Sequence, residues 1–285
     1  MNYRHAYHAG NFADVVKHAV LCRMLVHLRE KSGAFRVIDT HAGAGVYDLT
    51  GPEASRTQEW RDGIGRLRDA KFDPTVQALL APYLDAVAAG NRGDALGTYP
   101  GSPALAQSLL RPQDRLIVCE LEPRAAAALA GLVRGDKRCK AIAVDGWTAL
   151  TAYVPPKERR GLVLIDPPFE QPGEFNRLAQ GLAAAHRKWP TGGYLLWYPI
   201  KDAAGVTGFL RKLSRLGIAK MLRIELILAN PGSDLALAGT GLIAVNPPWT
   251  LPDELKALLP ALAGALSRTA KARLTLDWIR RESAS

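Results

Sequence analysis

Cysteine is scarce. The three present, Cys22, Cys119 and Cys139, form no C-x-x-C pair. That argues against a disulfide framework and a zinc site, and fits a reducing compartment. Long apolar runs are missing too: the longest are under ten residues, against the ~20 that a bilayer span needs. No polar tract of the kind that keeps a chain disordered is present. The opening MNYRHAYHAGNF lacks the apolar core of a secretory signal, so a cytoplasmic protein with no membrane partner is expected. Acidic residues are in deficit: 27 Asp and Glu against 37 Lys and Arg leave a net charge of +10. A surplus of that sign favours a polyanion, nucleic acid first; a basic surface serving solubility is the plainer alternative.

What is present is an ordinary globule. At 285 residues, 48% hydrophobic and 22% charged, the chain can bury a core as one large domain with at most a small appendage. Seven short apolar runs bounded by Gly, Pro or Asp read as strands: 35–41, 115–121, 140–145, 161–166, 193–200, 222–229 and 242–246. They are apolar on both faces, as buried parallel strands are. Helical periodicity fills 12–31, 102–110, 123–133, 174–188 and 202–216. The alternation predicts an α/β fold: a Rossmann-like, doubly wound, seven-stranded and mostly parallel sheet with helices on both faces. Nothing helical separates the last two runs. They are expected to form an antiparallel hairpin at one edge, turning near Pro231–Ser233.

One connection is too long. After the first strand a polar, helix-prone stretch occupies 48–98 before the next apolar helix begins. A structureless loop of that length is improbable in a compact domain. The expected division is a main domain of 1–47 and 99–285 with a helical subdomain, 48–98, inserted in it.

The first strand runs into Asp39-Thr-His41-Ala-Gly43-Ala-Gly45. Two glycines at this spacing let the backbone turn tightly and approach a ligand closely. A dinucleotide fingerprint would need Gly at 48, where Asp48 stands, and a P-loop would end in Gly-Lys-Ser/Thr. D-x-x-x-G-x-G is instead the pattern of S-adenosylmethionine sites, whose ligand has no pyrophosphate and carries an amino-acid end. An ordinary strand–helix turn would look the same. The second strand ends in Cys119-Glu120-Leu121-Glu122. Glu120, at the tip, is placed to accept both ribose hydroxyls of an adenosine, while Glu122 suits the start of the next helix. Removing the insertion restores an ordinary spacing between glycine loop and acid. The third strand ends in Asp145-Gly146-Trp147. Asp145 can hold an adenine amino group or simply cap a helix.

The fourth strand ends in Asp166-Pro167-Pro168-Phe169. Two prolines stiffen the chain and remove N–H donors, so this corner presents oxygens. That suits one problem in particular. The exocyclic amine of adenine is a poor nucleophile, because its lone pair is delocalised into the ring. The Asp166 carboxylate and the Pro167 carbonyl can accept hydrogen bonds from the amine and aim its lone pair at a sulfonium methyl, with Phe169 stacking on the base. A rigid strand exit is the plainer reading. A second motif, Asn246-Pro247-Pro248-Trp249, follows the last strand, far from the glycine loop, and reads as an edge turn.

The glycine loop, the second-strand acid and DPPF, in that order, resemble a class I adenine-N6 methyltransferase. The amino-terminal block from Tyr3 to His18 (YRHAYHAGNFADVVKH), together with DTHAGAG, YPGSP at 99–103, WYP at 197–199 and NPPW, is similar to the large-subunit (23S) ribosomal RNA adenine-N6 methyltransferase J family. The resemblance spans nearly the whole chain. It implies a monomeric, metal-free enzyme that uses S-adenosylmethionine, releases S-adenosylhomocysteine and has 23S rRNA as partner. It places donor contacts on His18, His41, Ser102, Glu120, Asp145 and Gly146, and the catalytic acceptor on Asp166; the motifs themselves add Gly43 to the donor loop and Pro167 and Phe169 to the catalytic corner. It places RNA contact on Tyr3, with His5 and Lys17 beside it. Phe169 stands where the family usually has Tyr, which removes a hydroxyl and keeps the stacking face. His5, His8 and His18 invite a metal reading, but no acidic or Cys partner has a usable spacing in sequence.

Overall fold

Alternation of side chains across the central strands organises the molecule. The computed structural model describes residues 4–91, 93, 95–230, 237–267 and 272–281. The strands are β1 (Arg36–Asp39), β2 (Val46–Asp48), β3 (Thr98–Pro100), β4 (Arg115–Cys119), β5 (Cys139–Ile142), β6 (Gly161–Ile165), β7 (Gly193–Ile200), β8 (Met221–Ile227), β9 (Gly239–Val245) and β10 (Arg273–Arg280). The helices are α1 (Phe12–Glu30), α2 (Pro52–Thr57), α3 (Arg66–Asp69), α4 (Pro74–Ala89), α5 (Ser102–Ser108), α6 (Pro123–Leu132), α7 (Gly146–Tyr153), α8 (Glu174–Lys188), α9 (Ala203–Arg215) and α10 (Leu251–Leu266). The main sheet runs β10-β8-β9-β7-β6-β1-β4-β5. It is parallel from β7 to β5 and antiparallel from β7 to β10.

Strand β6 is buried along its whole length. Its Leu162 and Leu164 join a core with α1, α4, α5 and α10, and its Val163 and Ile165 join a second core with α7, α8 and α9. The period of two thus sends alternate residues into two layers, which is why such strands read as unbroken apolar runs. Helix α1 starts where the Asn11 side chain accepts the N–H groups of Ala13 and Asp14 at 3.0 Å. That satisfies donors the helix leaves open. No described helix is long and apolar enough to cross a membrane.

The seven expected strands are present, and an eighth, β10, joins the sheet beside β8. Its sequence RLTLDWIR is half-exposed and carries charges, as an edge strand does, so its alternation was weak. The hairpin partners β8 and β9 are antiparallel as expected, but β9 lies inside the sheet between β7 and β8, and β10 takes the edge. The turn expected near Pro231–Ser233 lies outside the described residues.

The long first connection holds α2, α3 and α4 with a π-helical turn at Arg61–Gly65. Antiparallel pairing of β2 with β3 draws its two ends together. Its Ile64, Leu67, Leu80 and Tyr83 are buried in the same core as Val16 and Val20 of α1. At Gly63 an added Cβ would sit 2.0 Å from the Gly10 carbonyl oxygen, which in turn accepts the Ile64 N–H at 2.8 Å. The missing side chain lets the insertion close on the amino-terminal arm.

Candidate active site

The loops after β1, β4, β5 and β6 leave the same end of the sheet, as parallel strands require. With the start of α5 and the amino-terminal arm they line one cleft of about 1500 Å³. Every expected site residue among those described lines it: His5, Lys17, His18, His41, Gly43, Ser102, Glu120, Asp145, Gly146, Asp166, Pro167 and Phe169. Tyr3 lies outside the described residues.

On the β4–β5 side, Gly43 adopts φ +63°, and its N–H donates to Glu120 Oε2 at 2.8 Å. The strand-tip acid is therefore held directly against the glycine loop. Glu122 instead caps α6, accepting the Ala125 N–H at 2.6 Å. Asp145 caps α7 through Oδ2, which accepts the Thr148 N–H at 3.0 Å, while the residue also lines the cleft. The two sequence readings of Asp145 are thus compatible. A Cβ on Gly146 would lie 2.3 Å from the Thr40 carbonyl oxygen and 2.5 Å from His41 Cε1, so helix and loop meet backbone to backbone. Trp147 packs edge-on against His41 at 5.1 Å.

Ser102 donates from Oγ to Asp39 Oδ2 at 2.6 Å. Burial pushes the Asp39 carboxyl up to about 7, against the pull of that hydrogen bond. The donor set fits a cationic ligand with an adenosine end. Glu120, Glu122 and Asp145 carry negative charge around the glycine loop, a poor place for a phosphate and a good one for a sulfonium.

At the β6 exit the geometry is tighter. Lys17 Nζ lies 2.5 Å from Asp166 Oδ2 and 2.8 Å from Asp14 Oδ1, with the lysine side chain 4% exposed. Asp14 Oδ2 also accepts the Gly10 N–H at 2.9 Å and lies 2.9 Å from His5 Nε2. Burial works against ionising Asp14, and the charges of His5, Lys17 and His18 outweigh it, holding the carboxyl well below its usual range. Burial likewise opposes the Lys17 charge, and Asp14 and Asp166 overcome it, so the amine stays protonated. Asp166 Oδ1 carries no hydrogen bond among the described residues, which leaves one oxygen for a ligand. Phe169, at φ +51°, packs edge-on against Phe175 at 5.0 Å and Trp197 at 5.7 Å.

The chain matches, over residues 32–280, the family described as ribosomal RNA large subunit methyltransferase D, RlmJ. It belongs to that family. It is 38% identical to ribosomal RNA large subunit methyltransferase J of Escherichia coli (strain K12) over 98% of this chain and 99% of that one. It is 36% identical to the protein of that name from Haemophilus influenzae over the same shares. A Legionella pneumophila protein of known crystal structure is similar at 35% identity and TM-score 0.87, over 95% of this chain and 98% of that one.

In this RlmJ-family chain one residue that organises the cleft, Asp14, escaped sequence reasoning. Asp14 is the hub of the buried network, and its i,i+3 spacing to Lys17 on α1 was the available signal. His18 is 1% exposed and pairs through Nδ1 with Tyr99 Oη at 2.7 Å, which meets Tyr83 Oη at 2.9 Å. Trp197 faces the Lys17 ammonium at 5.9 Å. The arm histidines do have acidic partners, brought from elsewhere in the sequence: His5 meets Asp14, and His8 lies 2.9 Å from Glu59. Among the described residues no three metal-ligating side chains converge.

Asn246-Pro-Pro-Trp249 sits at the other end of the sheet. Val245 is in register with Tyr194 near the start of β7, and Asn246 Nδ2 donates to the Pro190 and Gly192 carbonyls at 2.8 Å each. It is a structural turn with Trp249 81% exposed.

Proposed function

We propose that this chain methylates the exocyclic N6 amine of an adenine in large-subunit (23S) ribosomal RNA, with S-adenosylmethionine as donor. One observation carries the reading. The free oxygen of Asp166, on a proline-stiffened corner, shares a cleft with a glycine loop whose acid, Glu120, is positioned by the loop backbone itself. The donor, when bound, supplies an electrophilic methyl on a sulfonium.

The chain's own residues do the rest. Glu120 offers acceptor oxygens for ribose hydroxyls, and Asp145, still reaching the cleft, one for an adenine amine. Ser102, His18 and His41 line the same cleft and complete the proposed donor contacts. Gly43 and Gly146 let the backbone approach the donor closely. Asp166 Oδ1 and the Pro167 carbonyl accept the two N–H bonds of the target amine and hold its lone pair toward the methyl. Phe169 offers the face on which the unstacked base rests. The proton released on transfer leaves from the amine nitrogen on the side of Asp166. Lys17, enclosed by two carboxylates, fixes Asp166 from behind, and His5, joined to the same Asp14, ties the arm to that arrangement. The arm, with Tyr3 at its start, is the proposed RNA contact.

The test is transfer of tritiated methyl to a 23S transcript and to duplex DNA, with mass spectrometry of the modified nucleoside. N6-methyladenosine in the RNA is expected. Transfer to DNA alone, or to another base position, would overturn the reading.

A further inference from the structure

The end of the sheet that bears the cleft is electrically divided. Read across the strands, Asp145 lies three residues beyond β5, and Glu120 and Asp166 directly follow β4 and β6. Beyond β6 the sign changes. Lys201 follows the last residue of β7, and Arg273 opens β10. Both line the cleft and both are exposed. Among the described residues neither has an ion-pair or hydrogen-bond partner. Of the other cleft cations, Arg4 pairs with Glu53 at 3.2 Å, Lys17 with two carboxylates and Arg177 with Glu174 at 2.9 Å, while Arg124 lies on the acidic half, where its charge acts on Glu122.

Register gives the shape of this half. Ile165, the last residue of β6, pairs with Leu196, so β7 continues four residues further to Ile200. At ~3.3 Å per residue that is roughly 13 Å of strand standing above the catalytic corner. Ile200 pairs with Gly239, Gly239 with Ile227, and Ile227 with Arg273. Lys201 and Arg273 therefore stand at the ends of one row across β7, β9, β8 and β10. Three strand spacings separate the ends, roughly 14 Å, enough to meet phosphates of different nucleotides. The Lys201 side chain and His8 of the amino-terminal arm line the same cleft.

We infer that the single-stranded RNA flanking the target adenine crosses this raised edge, with Lys201 and Arg273 on its backbone phosphates. The inference rests on the function proposed above. Phosphates are disfavoured on the acidic β4–β5 half and meet, on the β7–β10 half, two cations unengaged among the described residues. The target base reaches Asp166 only by leaving the stack, which costs least where the RNA around it is already single-stranded. Phosphate contacts of this kind position the RNA without reading its sequence.

The experiment measures binding of a fluorescent 23S fragment by anisotropy from low to physiological salt, for the wild type and for Lys201→Ala, Arg273→Ala and the double variant. Lys137→Ala, an exposed cation outside the cleft, is the control. Each phosphate contact on a single strand contributes about 0.7 to the slope of log K against log salt. The slope should fall by about 0.7 in each single variant and about 1.4 in the double one. KM for RNA should rise correspondingly, and Lys201→Arg should restore the wild-type slope. Melting temperatures confirm that the variants fold. Wild-type slopes in both single variants, with the wild type still methylating the RNA, would overturn the RNA path and leave the function standing. A wild type that neither binds nor methylates the transcript would overturn both.

Discussion

The ammonium of Lys17 lies 2.5 Å from a carboxylate oxygen of Asp166, joining residues 149 positions apart in sequence. Through this contact the first helix, α1, holds the corner at the end of β6. Lys17 is shared with Asp14, so one ammonium is divided between two carboxylates.

The two partners should respond differently to substitution. Asp166→Asn leaves Lys17 its Asp14 partner, so the fold should hold while methyl transfer falls on the order of 10²-fold or more. Lys17→Met leaves Asp14 and Asp166 facing each other with no cation between them. Breaking a buried pair in this way typically costs about 3–5 kcal/mol, and a lower urea midpoint is expected. Near-wild-type turnover in Asp166→Asn would contradict the mechanism, and an unchanged midpoint in Lys17→Met would contradict the buried network.

Gly146 is a place where one methyl group should matter. An added Cβ would meet the Thr40 carbonyl oxygen at 2.3 Å and His41 at 2.5 Å, both beside the glycine loop. Gly146→Ala should push α7 away, cost about 1–3 kcal/mol in stability and weaken donor binding measured by calorimetry. Gly131 in α6 has nothing within 4 Å of its added Cβ. Gly131→Ala should therefore be neutral or stabilising by about 0.5–1 kcal/mol and leave donor binding unchanged.

Two buried groups predict opposite pH trends. Burial pushes His18 down from 6.5 to about 3. Between those values the unfolded chain takes up a proton that the folded one refuses. Stability linked to His18 is thus full above pH 6.5 and lost as pH falls through this window. Asp39 is raised from 3.8 to about 7 by burial. Its contribution is full below pH 3.8 and lost as pH rises toward 7. Denaturant midpoints across pH should show His18→Gln flattening the loss on the acid side and Asp39→Asn flattening the loss as pH rises toward neutrality. A wild-type profile in both variants would refute the assignment of these two groups.

Much of the site was legible because it lies on strand tips. Parallel strands deliver their following loops to one end of the sheet, so Gly43, Glu120, Asp145 and Asp166 converge once the strands are found. The choice of Glu120 over Glu122 also followed from position: one ends a strand and the other begins α6. The helical character of the long first connection was visible in its composition. That it would share the main core was not, because Ile64 and Leu80 read only as apolar positions of short helices.

By itself the sequence determined the α/β architecture, where the seven central strands lie along the chain and which residues follow their tips, because these depend on local periodicity and on residues next to strand ends. Only the tertiary structure decided that Lys17 serves Asp166, that His8 meets Glu59, and that Lys201 and Arg273 share an edge. Those relationships join distant parts of the chain through register and packing, and no local pattern encodes a contact whose partners meet only when the sheet is assembled.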